Sequence, residues 1–376
     1  HDIAVGLRAG GAFSIYVLKS SGFSGWNLQK QVAPVTGTAD GLVLKFSPTY
    51  VGDASMAVVY SNTGGTYYNV ALRDLSNNDI ENWAFDSIEV MAPSGIPGDS
   101  PDWTEIVTAD LELPSDFSGQ SASLRRAYVS SYGNQASAAG SDGIFRFDDA
   151  TVYTLMDTGA NVDSGKNIAS IAYYGTYASG KLLAGEVFGE ACTATVPTWF
   201  TDSPTTCPIP CWYPALKPTT GAAGVDCTAT SSGNAQVAWS VSAELAYVGT
   251  GSVTQIAGPT WYIPYNGPAI ANDESAFAIS RNNGETWNQL GMIDTTITKF
   301  NDVAPSAECR TIYLASVNEG ASSYPAGVFA VTANITYDST GHSATGVLVS
   351  TTTLPATANV TQVFDSSTAS AEFSAA

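Results

Sequence analysis

Basic side chains are scarce in this chain: 14 Lys and Arg stand against 34 Asp and Glu over 376 residues, giving a net charge of -20 and a pI of about 4.1. A polymer so negative repels phosphate backbones and anionic headgroups, which excludes nucleic-acid and membrane-surface roles. Long hydrophobic runs are missing as well. Stretches such as Leu42–Leu44 and Met56–Val59 fall far short of the ~20 apolar residues that span a bilayer, so no membrane insertion is expected. Histidine is nearly absent, with only His1 and His342, too few for a catalytic base network. His342, in Ser339-Thr-Gly-His-Ser343, reads as an exposed loop residue. The pairs Gly10-Gly11 and Gly64-Gly65 do not join a strand to a helix, so no phosphate-cradling loop is expected. The chain opens on His1 with no basic and apolar leader, which reads as a processed or partial polypeptide.

Cysteine is sparse but clustered. Cys192, Cys207, Cys211 and Cys227 share one stretch rich in Pro, Thr and Gly, while Cys309 stands apart beside a strand as a buried thiol. Two disulfides stapling a loop with little apolar content are one reading, in any of three pairings; a zinc site is the other, with only Cys207 and Cys211 at knuckle spacing. Abundant Ser and Thr with little Lys fit a secreted or cell-surface chain, in agreement with the disulfide reading.

What the chain has in quantity is short β-forming runs. Val, Ile, Tyr, Phe and Thr segments alternate with Gly, Asn, Asp, Ser and Pro clusters, and helical periodicity is nearly absent, which predicts an all-β fold. An apolar strand recurs as Ile3–Arg8, Met56–Ser61, Arg126–Ser131, Leu182–Val187, Leu245–Thr250 and Ile312–Val317, with starts separated by 53, 70, 56, 63 and 67 residues. Ahead of most lies another strand, as in Val43–Pro48, Ile168–Ala172, Gln236–Ser240 and Phe300–Ala304. Behind most comes a third, as in Phe13–Val17, Tyr67–Ala71, Gly143–Phe147, Ala276–Ser280 and Gly327–Val331. Three or four strands per repeat is the content of a propeller blade, so the expectation is a β-propeller of about six antiparallel blades, or seven. Residues 1–376 are expected to form this one domain, with 190–233 as a stapled insertion and 366–376 as a flexible or assembly tail. The N-terminal repeat starts at a second strand and Val360–Phe364 resembles a first strand, so the tail is expected to close the ring or to pair with a neighbouring molecule.

One motif is sharp. Ser280-Arg-Asn-Asn-Gly-Glu-Thr-Trp287 resembles the Asp-box of BNR-repeat propellers of the sialidase-like and sortilin-like superfamily, with Asn282 in the Asp place. In such a turn Ser280, Asn282 and Thr286 hold the backbone, Gly284 supplies the permissive φ and Trp287 packs between blades. Phe46-Ser-Pro-Thr-Tyr-Val-Gly-Asp53 is similar to a second segment of those propellers, and Ser24–Leu28 and Ser61–Tyr67 are degraded echoes. The resemblance implies the fold but not an activity, because the same turn occurs in enzymes, receptors and surface proteins alike. A sialidase-like site would need three arginines, a Tyr-Glu pair and an acid. The family's Arg-Ile-Pro motif is missing, and a clamp from the seven arginines would have to draw on Arg8, Arg73 and Arg146.

No catalytic set and no cofactor site is assigned. Paired carboxylates occur as Asp148-Asp149, Asp110/Glu112 and Glu186/Glu190; they could serve a glycosidase, and read otherwise as solvated surface acids. Calcium is the candidate ion, with Asp142, Asp148 and Asp149, or Asp99 and Asp102, as acids lacking the spacing of a known loop. Asn334-Ile-Thr336 and Asn359-Val-Thr361 are glycosylation candidates. Aromatic pairs in loop-like contexts, Trp199-Phe200, Trp212-Tyr213 and Trp261-Tyr262 with Tyr265, suggest contact surfaces or sugar-stacking platforms. The leading expectation is a secreted structural propeller that self-associates into a cell-surface layer or extracellular filament. A glycan-active hydrolase or a carbohydrate-binding module is the alternative.

Overall fold

The structure, a computed structural model, describes residues 3–9, 12–18, 27–31, 39–62, 65–73, 80–84, 88–90, 106–133, 143–157, 167–188, 198–205, 212–214, 233–240, 245–250, 274–294, 299–306, 311–317, 327–337 and 342–353. The chain divides into two compact units: His1–Leu182 with Asp202–Cys211 and Phe364–Ala376, and Leu183–Thr201 with Trp212–Val363.

The first unit begins with an antiparallel meander of β1 (Ile3–Ala9), β2 (Ala12–Leu18) and β3 (Asn27–Gln31). A second sheet follows in the order β4 (Ala39–Phe46), β5 (Ser55–Asn62), β6 (Gly65–Arg73) and β7 (Ile80–Trp83), with α1 (Tyr50–Asp53) a single helical turn between β4 and β5, and β8 (Ile88–Glu89) also on β6. The third sheet is β9 (Ile106–Glu112), β10 (Arg126–Gly133), β11 (Gly143–Asp148) and β12 (Thr151–Asp157), after which comes β13 (Asn167–Tyr174). The second unit holds β14 (Lys181–Phe188) from Leu183 onward, β15 (Thr198–Thr201) and β16 (Tyr213–Pro214), then the sheet order β17 (Gly233–Trp239), β18 (Ala246–Thr250), β19 (Glu274–Ser280) and β20 (Asn288–Asp294). It ends with β21 (Lys299–Pro305), β22 (Thr311–Val317), β23 (Gly327–Tyr337) and β24 (His342–Thr353), again in sequential order. The fold is therefore all-β, and its repeating element is the four-stranded antiparallel meander of a propeller blade. The six recurring apolar segments lie in β1, β5, β10, β14, β18 and β22. His342 begins a strand and pairs with Tyr337, so its backbone is in a sheet and not in the loop expected of it.

Two apolar faces explain why β5 reads as a continuous hydrophobic run. Ala57 and Val59 point into one cluster with Val43, Tyr68, Leu111, Val129, Phe145 and Phe147. Met56, Val58 and Tyr60 point the other way, into a cluster with Ala4, Ile15, Val17 and Leu44. Because successive strand side chains face opposite sides, a sheet covered on both needs apolar residues at every position. Fully burying each such side chain is worth about 1.5–3 kcal/mol. In the second unit Tyr247, Ile279, Val303, Ile312 and Leu314 form the comparable core between the β17–β20 and β21–β24 sheets.

Candidate functional site

The third sheet departs from this pattern on one face. Ala127 and Val129 of β10 join the apolar cluster, but the alternate residues Arg126, Tyr128 and Ser130 face the other side. There they meet Arg146 and Asp148 of β11 and Asp110 and Glu112 of β9, as the strand register requires. Against this polar face lie β13 and its following turn.

Asp110 and Glu112, two residues apart on β9, do the work of a partner strand. The Asp110 carboxylate accepts the N–H of Ile171 at 2.9 Å and of Leu111 at 2.8 Å, with the Ser170 hydroxyl as a further donor. Glu112 accepts the backbone N–H of Tyr173, and Lys45 of β4 completes the cluster with its ammonium 2.7 Å from Glu112 Oε2. Burial pushes both carboxyls up. Glu112 reaches about 7, the burial effect being opposed by Lys45 and reinforced by Asp110; Asp110 is raised from the ordinary carboxylate range chiefly by burial, again against Lys45. A carboxyl with such a value can hold or release a proton at neutral pH.

Further along the face, Asp148 is shared. It lies 3.5 Å from Arg126 Nη1 and 3.3 Å from Arg146 Nη2, and it accepts the Tyr177 hydroxyl at 3.0 Å. Arg126 stacks over the Tyr177 ring at 5.0 Å and Arg146 over Tyr153 at 4.5 Å. Arg146 Nη1 also donates to the carbonyls of Thr205 at 2.6 Å and Pro204 at 3.2 Å. Tyr128 and Tyr173 stack with ring centroids 4.7 Å apart. Arg125 turns away, to Asp149 at 2.9 Å and the Gly119 carbonyl.

The paired acids Asp110, Glu112, Asp148, Asp149 and Glu186 are thus not solvated surface groups, and the expectation that they were is corrected. Asp110, Glu112, Asp148 and Asp149 are held by backbone donors or cations. Glu186 is 2% exposed and accepts the indole N–H of Trp199. The expectation failed because alternating polar residues signal a solvated face only when nothing covers that face. Trp199 and Phe200 lie in β15 and Tyr213 in β16, not in loops; Trp199 is buried, and Tyr213, 53% exposed, packs on Phe200 with centroids 5.5 Å apart.

The turn at 280–287 is built from its own side chains. Ser280 Oγ accepts the N–H of Gly284 at 2.9 Å and donates to Asn282 Oδ1 at 3.0 Å, and the same Oδ1 accepts the N–H and hydroxyl of Thr286, each at 3.0 Å. Gly284 has φ +88°, and a Cβ there would strike Leu183; Trp287 is 2% exposed. The segment at 46–53 forms a second polar turn, in which Asp53 collects the hydroxyls of Ser47, Thr49 and Ser55.

Several expected positions lie outside the described residues: Cys192, Cys207, Cys211, Cys227 and Cys309, Asp99, Asp102, Asp142, Glu190, Trp261, Asn359 and the tail 366–376. Asn334 lies in β23. Among the described residues no group of three or more His, Cys, Asp or Glu is placed to hold a metal ion, and no helix is long and apolar enough to cross a membrane.

No protein-family model matches the sequence, and no curated protein matches it. Solved structures give weak likenesses at 11–12% identity. One is a protein from Lactobacillus plantarum (TM-score 0.49, 11% identity, 94% of this chain and 82% of that one). Another is the Cps50 (Swd1) beta-propeller domain of Myceliophteria thermophila (0.46, 12%, 94% and 90%). A third is the GH74 xyloglucanase of Xanthomonas campestris, of which the chain covers 43% (0.49, 12%, 88% of this chain).

Proposed function

We propose that this chain is a secreted, non-catalytic propeller-type module of the BNR/Asp-box kind, whose role is to associate with copies of itself in a cell-surface layer or extracellular filament. One observation supports the reading: among the described residues the paired acids are committed to holding sheets and turns together, Asp110 and Glu112 to β13 and Lys45, Asp148 to two arginines and Glu186 to Trp199. A set of charges spent on internal bonds suits a rigid building block. At a net charge of -20 copies repel one another, so cations such as calcium would bridge them. The test is light scattering and negative-stain electron microscopy with calcium and with chelator. Ordered polymers that disperse on chelation are expected, and a monomer under every condition overturns the proposal. The extracellular setting is checked by counting thiols in the denatured, unreduced chain: two disulfides among Cys192, Cys207, Cys211 and Cys227 leave one thiol, Cys309.

A second reading, a glycan-active hydrolase, is favoured by one observation, the Glu112 carboxyl raised to about 7 beside Asp110. Turnover of any polysaccharide in a broad panel, lost in Glu112→Gln, would replace the first reading.

A further inference from the structure

Asp110, Glu112 and Lys45 bring two carboxyls and one ammonium together where three strands, β4, β9 and β13, approach one another. Both carboxyls lie on the same face of β9 and both accept backbone N–H groups of β13, at Ile171 and Tyr173. Among the described residues these groups pack around them, with Ser130 of β10 opposite Asp110. From β4 comes Lys45; from β10 comes Tyr128, the register partner of Glu112; from β13 come Tyr173 and the Ser170 hydroxyl. From β5, Ala57 and Val59 pack in the apolar cluster on the opposite face of β9. Arg146 is cross-strand from Tyr128 on the same face, but it is engaged by Asp148 and the carbonyls of Pro204 and Thr205.

With both carboxyls ionised the cluster carries one negative charge more than Lys45 can balance, and Glu112 keeps only 17% of its side-chain surface in water. One bound proton removes the excess. We propose that the Asp110–Glu112 pair is a proton-binding site and that, with Lys45, it forms a proton-operated joint between β9 and β13, closed when one proton is bound and strained when none is. The joint does not depend on either functional reading of the molecule; its consequence is a sheet junction that tightens as the medium turns from neutral to mildly acidic. The direction follows from linkage. The folded chain holds a proton at Glu112 in a range where the unfolded chain has released it, between the ordinary 4.5 and about 7, so the contribution to stability is whole below that window and is lost as pH rises through it.

The experiment uses the full chain. Carboxyl carbons are labelled and followed by NMR from about pH 3 to 9, a range that spans both the ordinary 4.5 and about 7, and the Glu112 signal is assigned by its loss in Glu112→Gln. In parallel, the unfolding temperature is measured across the same range. A Glu112 midpoint near 7 is expected, with an unfolding temperature that falls between about pH 5 and 7 in the native chain and falls less in Glu112→Gln, a comparison that also cancels the two histidines. Lys45→Met supplies a second variant should the first fail to fold: the Glu112 midpoint must move up, because the opposing positive charge is gone. Asp110→Asn must move it down. A Glu112 midpoint near 4.5, or one that Lys45→Met leaves in place, or an unchanged pH slope in Glu112→Gln, overturns the joint.

Discussion

The carboxylate of Asp53 accepts the backbone N–H of Gly119 at 3.0 Å across 66 residues of chain, linking the turn between β4 and β5 to the turn between β9 and β10. The relation recurs one sheet further on, where Asp116 accepts the N–H of Tyr177 at 2.8 Å. Asp53 is 6% exposed and also holds Ser47, Thr49 and Ser55. The Gln120 amide donates to the Asp53 carbonyl at 2.9 Å.

Asp53→Ala is therefore expected to cost about 3 kcal/mol or more, since it strands several buried donors at once and each such group costs about 1–3 kcal/mol. Asp53→Asn should recover part of the loss, because an amide oxygen still accepts. Urea unfolding of the three chains checks this; equal midpoints for native and Ala chains would show that the node holds nothing.

In the 280–287 turn the Asn282 side chain works through its oxygen, which takes three donors from Ser280 and Thr286. Asn282→Asp offers the same geometry with a charged acceptor, which strengthens such bonds, and should hold or raise stability by up to about 1 kcal/mol. Asn282→Ala should lower it by about 1–2 kcal/mol. Thermal unfolding distinguishes the two, and a destabilising Asp would mean that the amide nitrogen makes a bond the turn needs.

The turn was legible because its signal is local: Ser280, Gly284 and Thr286 stand at fixed offsets and bond one another. The β strands were legible for the same reason, and Met56–Tyr60 announced a doubly covered sheet by having apolar residues at every position. The Asp110–Glu112 cluster was visible as a pair of acids two residues apart, but not as a junction. Its partners, Lys45 and the N–H groups of Ile171 and Tyr173, lie some 60 residues away on either side, and no pattern within β9 names them. Arg126-Ala-Tyr-Val-Ser likewise shows the alternation of a half-solvated strand, whereas its polar half is covered by β13 and the Tyr177 turn. The carbonyls that hold Arg146, from Pro204 and Thr205, have no sequence signature at all, since every residue has one.

Those two carbonyls make Arg146 a retaining bolt for the 202–205 segment. Arg146→Lys keeps the charge but offers one compact donor group where the guanidinium reaches two carbonyls and Asp148 together. The expected result of limited proteolysis with mass spectrometry is faster cutting around 202–211 in Arg146→Lys and faster still in Arg146→Met. The remaining sheets should be cut at unchanged rates. Uniform acceleration across the chain would instead mean global destabilisation.

Burial raises the phenols of Tyr68, Tyr128 and Tyr173 well above their ordinary value. A tyrosine of this kind keeps its proton in the folded chain under alkaline conditions that would strip it in the unfolded one. Its stabilising contribution is whole below the ordinary value of about 10 and is lost as pH climbs toward the folded-state value. Of the 18 tyrosines, these three should give no phenolate absorbance until the circular dichroism of the sheets collapses, and then all at once. Tyr68→Phe, which removes one of them without emptying the space against Phe147, 4.4 Å away between ring centroids, should shift the collapse to higher pH. Smooth ionisation of all 18 with the sheets intact would show that the inner faces of these blades are open to water.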